Sequence, residues 1–265
     1  MRKYLAVARI TISNILEYRW NFLIGHLRSI VLLVMLYYLW TSVFSKNNNL
    51  FGYGLAQIIT YVLLVTIIRA IVLNSRTDNI SGEISGGGKF FTYLLQPIGY
   101  LRYWFTIDVV YKIIDLVVAI IEVILLALIV KATLFLQTNP VSILLFLASL
   151  TLATLLYFFL SALISYVTFW TYQGWGIRFA FVLFLEFSAG AFFPLNVLPV
   201  PFVNFLKLTP FPYLVFFPIN IYLGKVNFSD LVFGFSISAL WLAILFLTAK
   251  VVWKRGLKIY EAAGG

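Results

Sequence analysis

Cysteine is absent from the 265 residues, which excludes disulfides and thiolate metal sites. There is one histidine, His26, so no His/Cys cluster for zinc, haem or copper can form. A Ser-His-Asp set could be assembled only around that residue, which has no carboxylate partner near it in sequence. Charged residues make up 11% of the chain, against roughly 25% in a soluble domain, and no segment is long and polar enough for a separate catalytic domain. A nucleotide-binding P-loop is also missing. The closest approach is Gly82-x4-Gly87, but it continues Gly88-Lys89-Phe90 instead of Lys-Ser/Thr, and no strand precedes it. The run reads as a flexible turn before a short amphipathic helix, and the chain is expected to bind no nucleotide, cofactor or metal itself.

What is present is apolar surface. Hydrophobic residues are 63% of the chain and aromatics 18%, which identifies an all-α polytopic membrane protein folded as a single transmembrane domain over 1–265. The net charge of +10 is better read as attraction to anionic lipid and control of topology than as a nucleic-acid surface. The first apolar run begins only near Phe22 and no small-residue cleavage site follows it, so the N-terminus does not read as a cleavable signal.

Residues 2–20 are expected to form an interfacial helix, with Leu5, Ala8, Ile12, Ile15 and Leu16 on one stripe and Arg2, Arg9, Ser13 and Glu17 beside it. Six spans of the length a bilayer needs follow near 22–44, 51–73, 106–135, 141–170, 177–194 and 229–252. The longest polar stretch, 74–104, separates the second span from the third. The third span carries Asp108, Lys112, Asp115 and Glu122 on one face, where Lys112 can pair with Asp108 and Asp115. Charges inside a membrane face a bundle interior, a cavity or one another, so the cluster is either a structural ion-pair seam or a handler of substrate or protons. Glu186, near the middle of the fifth span, is the deepest lone acid; it lies on a transport pathway, faces a partner subunit, or is hydrogen-bonded inside the bundle. His26 reads as an interfacial anchor.

Six of the eight prolines fall between Gly190 and Gly224, in a stretch otherwise rich in Phe, Leu and Val. A straight spanning helix does not tolerate that density of proline, and a solvated loop would not be so apolar. A re-entrant pair of half-helices at 195–224, covered by neighbouring helices, satisfies both constraints. Its polar side chains, Asn204, Lys207 and Asn220, are expected to point to water or to a neighbouring helix. Twelve basic residues fall in the segments that lie inside when both termini are cytoplasmic, and four in the segments then outside. The positive-inside rule favours that orientation.

The assembled pattern resembles an ABC-2 type permease, the membrane subunit of an ATP-binding-cassette transporter, over essentially the whole chain. The residues that carry the resemblance are Ser81-Gly82-Glu83-Ile84 with Leu95-Gln96-Pro97-Ile98, Phe193-Pro194-Leu195 with Leu198-Pro199, Pro210-Phe-Pro-Tyr213 with Phe217-Pro218 and Ile221-Tyr-Leu-Gly224, and the ending Tyr260-Glu-Ala-Ala-Gly-Gly265, typical of a branch with paired permeases. The resemblance implies a bacterial or archaeal cytoplasmic membrane, a second permease, identical or homologous, and two copies of an ATPase subunit that carries ATP and Mg. It implies that Arg9, Glu83, Gly87, Lys89 and Phe90 contribute to the coupling surface. The first, second and fifth spans would mainly line the path, and Pro199, Pro210, Pro212 and Tyr213 would belong to an outer gate. The resemblance also implies half-helices at Leu198–Leu206 and Pro212–Tyr222, turning near Thr209-Pro210-Phe211. The expected activity is ATP-driven export of an amphipathic or lipid-like substrate, the chain itself not being an enzyme. The alternatives are a proton-coupled secondary transporter using the intramembrane acids, a membrane-embedded enzyme acting on lipid, and a scaffold or immunity protein.

Overall fold

A computed structural model describes residues 2–46, 49–86, 90, 93, 95, 97–171 and 174–260. Among these residues the regular structure is helical apart from one two-residue ladder. The helices are α1 (Arg2–Glu17), α2 (Arg19–Val43), α3 (Leu55–Ile68), α4 (Asn79–Ser85), α5 (Tyr100–Ile129), α6 (Pro140–Tyr166), α7 (Trp175–Ala189), α8 (Val200–Leu206), α9 (Phe216–Tyr222) and α10 (Phe228–Ile259). Short 3-10 turns at Arg76–Asp78, Val167–Phe169, Leu195–Val197 and Phe211–Tyr213 join them.

Four helical stretches are long and apolar enough to cross a membrane: Arg19–Val43, Leu55–Leu73, Pro140–Phe169 and Phe228–Ile259. They coincide with four of the six expected spans. α5 has the length, at 30 residues, but carries the four buried ionisable groups. α7 has only 15 residues, about 22 Å of helix.

Two of the expected spans end early, each for a local reason. α5, the third expected span, also starts earlier than 106. It stops at Ile129, Lys131 takes a left-handed φ of 48°, and 132–139 has no regular secondary structure, with the Phe135 amide donating to Thr60 Oγ1 at 2.8 Å. The fifth ends at Ala189 because Gly190 adopts φ 81°, a left-handed cap that suits glycine, and Pro194 follows. Between α2 and α3, β1 (Asn49–Leu50) pairs antiparallel with β2 (Tyr53–Gly54) across Phe51 and Gly52. Both turn residues have positive φ, as a two-residue hairpin of this hand requires.

α3 is the axis of the bundle. Ile58, Ile59, Tyr61, Val62, Leu63, Val65 and Ile68 are all buried; α2, α5 and α9 pack on it, and α6 packs on the turn that follows it. α6 presents Leu150, Ala153, Leu156, Tyr157 and Leu160 to the same core and carries α10 along its length. α2 and α10 leave most of their surface uncovered, only 11% and 17% of their apolar windows being buried. α1 packs on α5 through Thr11 and Ile15, while Leu5, Ile12 and Leu16 stay exposed.

After Ile68, α3 does not continue as an α-helix. Arg69–Leu73 forms a π turn, a rare local widening found mostly at functional positions. It packs on α5 and α6 and delivers Asn74–Asp78 and then α4.

Candidate functional site

The bundle concentrates its polar chemistry where the π turn meets α5. Asp108, Lys112, Asp115 and Glu122 sit on one face of α5, as their spacing predicts, and all four are buried. Such a face carries two uncompensated negative charges, and groups from two other elements neutralise them. Lys112 Nζ lies 3.4 Å from Asp108 and donates to the Asn74 carbonyl at 2.6 Å, which satisfies a carbonyl freed where the helix ends. Asp108 accepts the Arg76 amide at 2.7 Å.

Asp115 is not held by Lys112. It accepts from Asn74 Nδ2 at 2.6 Å and faces the Arg76 guanidinium at 3.5 Å; that guanidinium stacks 3.9 Å over the Tyr111 ring. His26, expected as an anchor without a carboxylate, instead enters this node from α2. Its Nδ1 is 2.8 Å from Glu122 Oε1 and its Nε2 3.6 Å from Asp115 Oδ1. The one available signal was the charge deficit of the α5 face, which demands cations from outside it.

Glu186 is not a lone acid. The Arg69 guanidinium, at the start of the π turn, binds its Oε1 at 2.7 Å and donates to the Ala191 carbonyl at 3.3 Å. Phe192 lies 5.1 Å from that guanidinium. The two side chains keep 18% and 17% of their surface open, so the pair borders the outside of this chain. Tyr61 completes the joint by donating to the Gly190 carbonyl at 2.6 Å. Sequence reading missed Arg69, which lies in a run otherwise fit for the membrane.

A second polar bracket surrounds α4. Ser81 and Thr168 hydroxyls meet at 2.7 Å, and Arg178 lies 3.4 Å from Asp78. Glu83 accepts the Tyr100 hydroxyl at 2.7 Å. Phe90 is fully buried among Tyr100, Phe169, Trp253 and Tyr260, so it fixes this segment from within. Gly256 makes that packing possible, because a Cβ there would overlap the Phe169 ring. Arg9 is exposed on α1. Gly87 and Lys89 lie outside the described residues, as do Gln96 and 261–265.

At the opposite end, α8 and α9 lie within the expected half-helix ranges. Pro199 caps α8; Pro210, Pro212 and Tyr213 are buried in the turn between the two helices, and Tyr213 donates to the Lys207 carbonyl at 2.6 Å. Asn204 is exposed, whereas Asn220 is buried and accepts the Tyr53 hydroxyl at 2.6 Å, tying α9 to the β hairpin. Burial pushes the Tyr53 phenol up and the Lys225 ammonium down; Lys225 donates to the Gly52 carbonyl at 2.6 Å. A cavity of about 200 Å³ opens here beside Lys207, Tyr213, Phe217, Asn220 and Lys225.

Among the described residues no group of His, Asp or Glu is arranged to hold a metal ion. The described polar groups form joints between helices. Residues 30–264 match the sequence family described as ABC-2 family transporter protein. No curated protein matches the chain.

Proposed function

The chain belongs to the ABC-2 family of transporter proteins, and on that premise we propose that it is the permease of an ATP-driven exporter for an amphipathic or lipid-like substrate. The family match over 30–264 carries the reading; it places the chain in a membrane and implies association with an ABC ATPase subunit. The chain's own sequence contains no P-loop, so the ATPase activity resides in that subunit, present in two copies with Mg-ATP, and a second permease completes the complex.

In this reading six helices cross a bacterial or archaeal cytoplasmic membrane with both termini inside: α2, α3 with its π turn, α5, α6, α7 and α10. α1 lies at the inner surface, where its exposed Leu5, Ile12 and Leu16 meet lipid. α8 and α9 form the re-entrant outer gate. Closure of the ATPase dimer pushes on a coupling surface to which Arg9, Glu83, Gly87, Lys89 and Phe90 contribute, α4 among its elements. The push reaches α3 through Asn74–Asp78 and reaches α7 through the Arg69–Glu186 pair. Rigid helices and a two-state interface do the work, with no bond chemistry in this chain.

The test is purification of the full chain with its associated proteins. The expected result is a stable complex with a Walker-motif ATPase whose hydrolysis, in proteoliposomes, rises with substrate and drives uptake into inside-out vesicles. Transport that persists without any ATPase and stops with an uncoupler would establish the proton-coupled alternative instead.

A further inference from the structure

The first half of α2 is held to the bundle in an unusual way. The buried residues of α2 are Leu33, Leu36, Tyr37 and Trp40, all in its second half. Over Arg19–Leu32 only Phe22, His26, Ser29 and Leu32 are even half-covered, while Trp20, Leu23, Ile24, Leu27, Ile30 and Val31 are exposed. Of these, only Leu32 is packed against the hydrophobic core. Among the described residues the one polar attachment of this half to α5 is His26.

The surroundings of His26 favour the imidazolium, through one hydrogen bond to Glu122 and a second carboxylate within ion-pair distance. A neutral imidazole has one donor and one acceptor nitrogen, and an ionised carboxylate only accepts. Here both ring nitrogens face carboxylates, Glu122 at 2.8 Å and Asp115 at 3.6 Å. Charge counting agrees: Asp108, Asp115 and Glu122 are opposed by Lys112 and Arg76, so the buried node is neutral only when it holds one further proton. Glu122 Oε2 is buried without a partner, so the His26 contact is the only hydrogen bond that carboxylate makes among the described residues. The groups facing the imidazole from α5 are Asp115 and Glu122. From the stem of α4, Arg76 reaches it through Asp115. On α2 the neighbour is the Phe22 ring, at 4.5 Å. α1 also packs on α5, but its Arg2, Lys3, Arg9 and Glu17 are exposed.

We propose that His26 is a positioning residue whose proton clamps the first half of α2 to α5 and to the stem of α4, and that loss of this proton lets that half swing away. The clamp joins a wall of the transport path to the segment that carries the push from the ATPase; this consequence rests on the exporter reading, while the clamp does not. With the proton present, two buried carboxylates are bridged by one cation. Without it, α5 keeps an unmatched buried negative charge and α2 keeps only a partial apolar contact, so the open arrangement gains.

This chain lacks cysteine, so Ile24→Cys on α2 and Ile121→Cys on α5, both exposed, are its only labelling sites, and the pair can be spin-labelled in the full complex in nanodiscs once the partner subunits are made cysteine-free. The expected distance distribution at neutral pH has one short peak, with a longer population of at most ~10% that becomes the majority at alkaline pH. His26→Arg, permanently charged, should hold the short peak throughout. His26→Gln should show the long population already at neutral pH, and so should Glu122→Gln, which keeps the test open if either His26 variant fails to assemble. Transport should lose rate in the alkaline limb in the wild type and keep it in His26→Arg. A wild-type distribution that does not change with pH, or a His26→Gln distribution identical to wild type, overturns the proposal. Neither result bears on whether the complex is an ATP-driven exporter.

Discussion

Arg69→Met is the sharpest perturbation of the joint between α3 and α7. It removes a guanidinium that makes a 2.7 Å ion pair with Glu186 and a 3.3 Å bond to the Ala191 carbonyl, and leaves a carboxylate that keeps only 17% of its surface open. Breaking a fully buried pair costs about 3–5 kcal/mol. The residual exposure lets water solvate part of the orphaned charge, so the expected loss is about 2–3 kcal/mol. Glu186→Leu alone should cost about as much, because it strands the arginine. The double variant Arg69→Met/Glu186→Leu should recover most of the loss, since a matched apolar pair of similar volume is often as stable as the ion pair it replaces. The assay is unfolding of the assembled complex in mixed micelles, read as a double-mutant cycle. Single losses under about 0.5 kcal/mol, or additive effects in the double variant, would refute the idea that this pair ties the two helices. Transport separates a second point: if the joint also passes movement to α7, the double variant is stable yet transports poorly.

Other expectations follow from the same reasoning. Asn220→Ala leaves the buried Tyr53 hydroxyl without its acceptor and should destabilise the complex by about 1–3 kcal/mol, measured by the same unfolding; Tyr53→Phe in that background should restore part of it. Gly256→Leu forces a side chain into the Phe169 ring and should cost about 1–3 kcal/mol from overpacking, seen as reduced yield of intact complex. Glu83→Ala should leave assembly intact and lower substrate-stimulated ATPase and transport; unchanged coupling in a correctly assembled complex would remove Glu83 from the coupling surface. Tyr100→Phe, which deletes the 2.7 Å bond to Glu83, should reproduce a weaker form of that defect.

Much of this fold is legible in residue pattern because the membrane makes length and hydropathy nearly sufficient. Helices α2, α6 and α10 coincide with their expected spans, and the half-helices α8 and α9 lie where proline density interrupts an apolar run. Pattern was misleading where an apolar run was not helical. Residues 132–135 look like the end of a span, yet Lys131 breaks the helix and the segment leans on Thr60. It was silent on partners. The shared face of Asp108, Lys112, Asp115 and Glu122 follows from helical spacing, but the pairing of His26 with Glu122 spans 96 residues and that of Arg69 with Glu186 spans 117. Such contacts depend on how helices are arranged around α3, which no local periodicity encodes. The α5 charge imbalance announced that cations were needed without saying whose.

The π turn at Arg69–Leu73 ends α3 in a different angular register from its packed part. Its i→i+5 bonding admits one residue more than an α turn, and one residue is about 100° of rotation about the helix axis. Arg69, at its start, pairs with Glu186, and just beyond its end Asn74 and Arg76 meet Asp115 on α5. In length variation among related chains, this short stretch is where one residue gained or lost would re-aim the whole α4 segment while the core of the bundle stayed as it was.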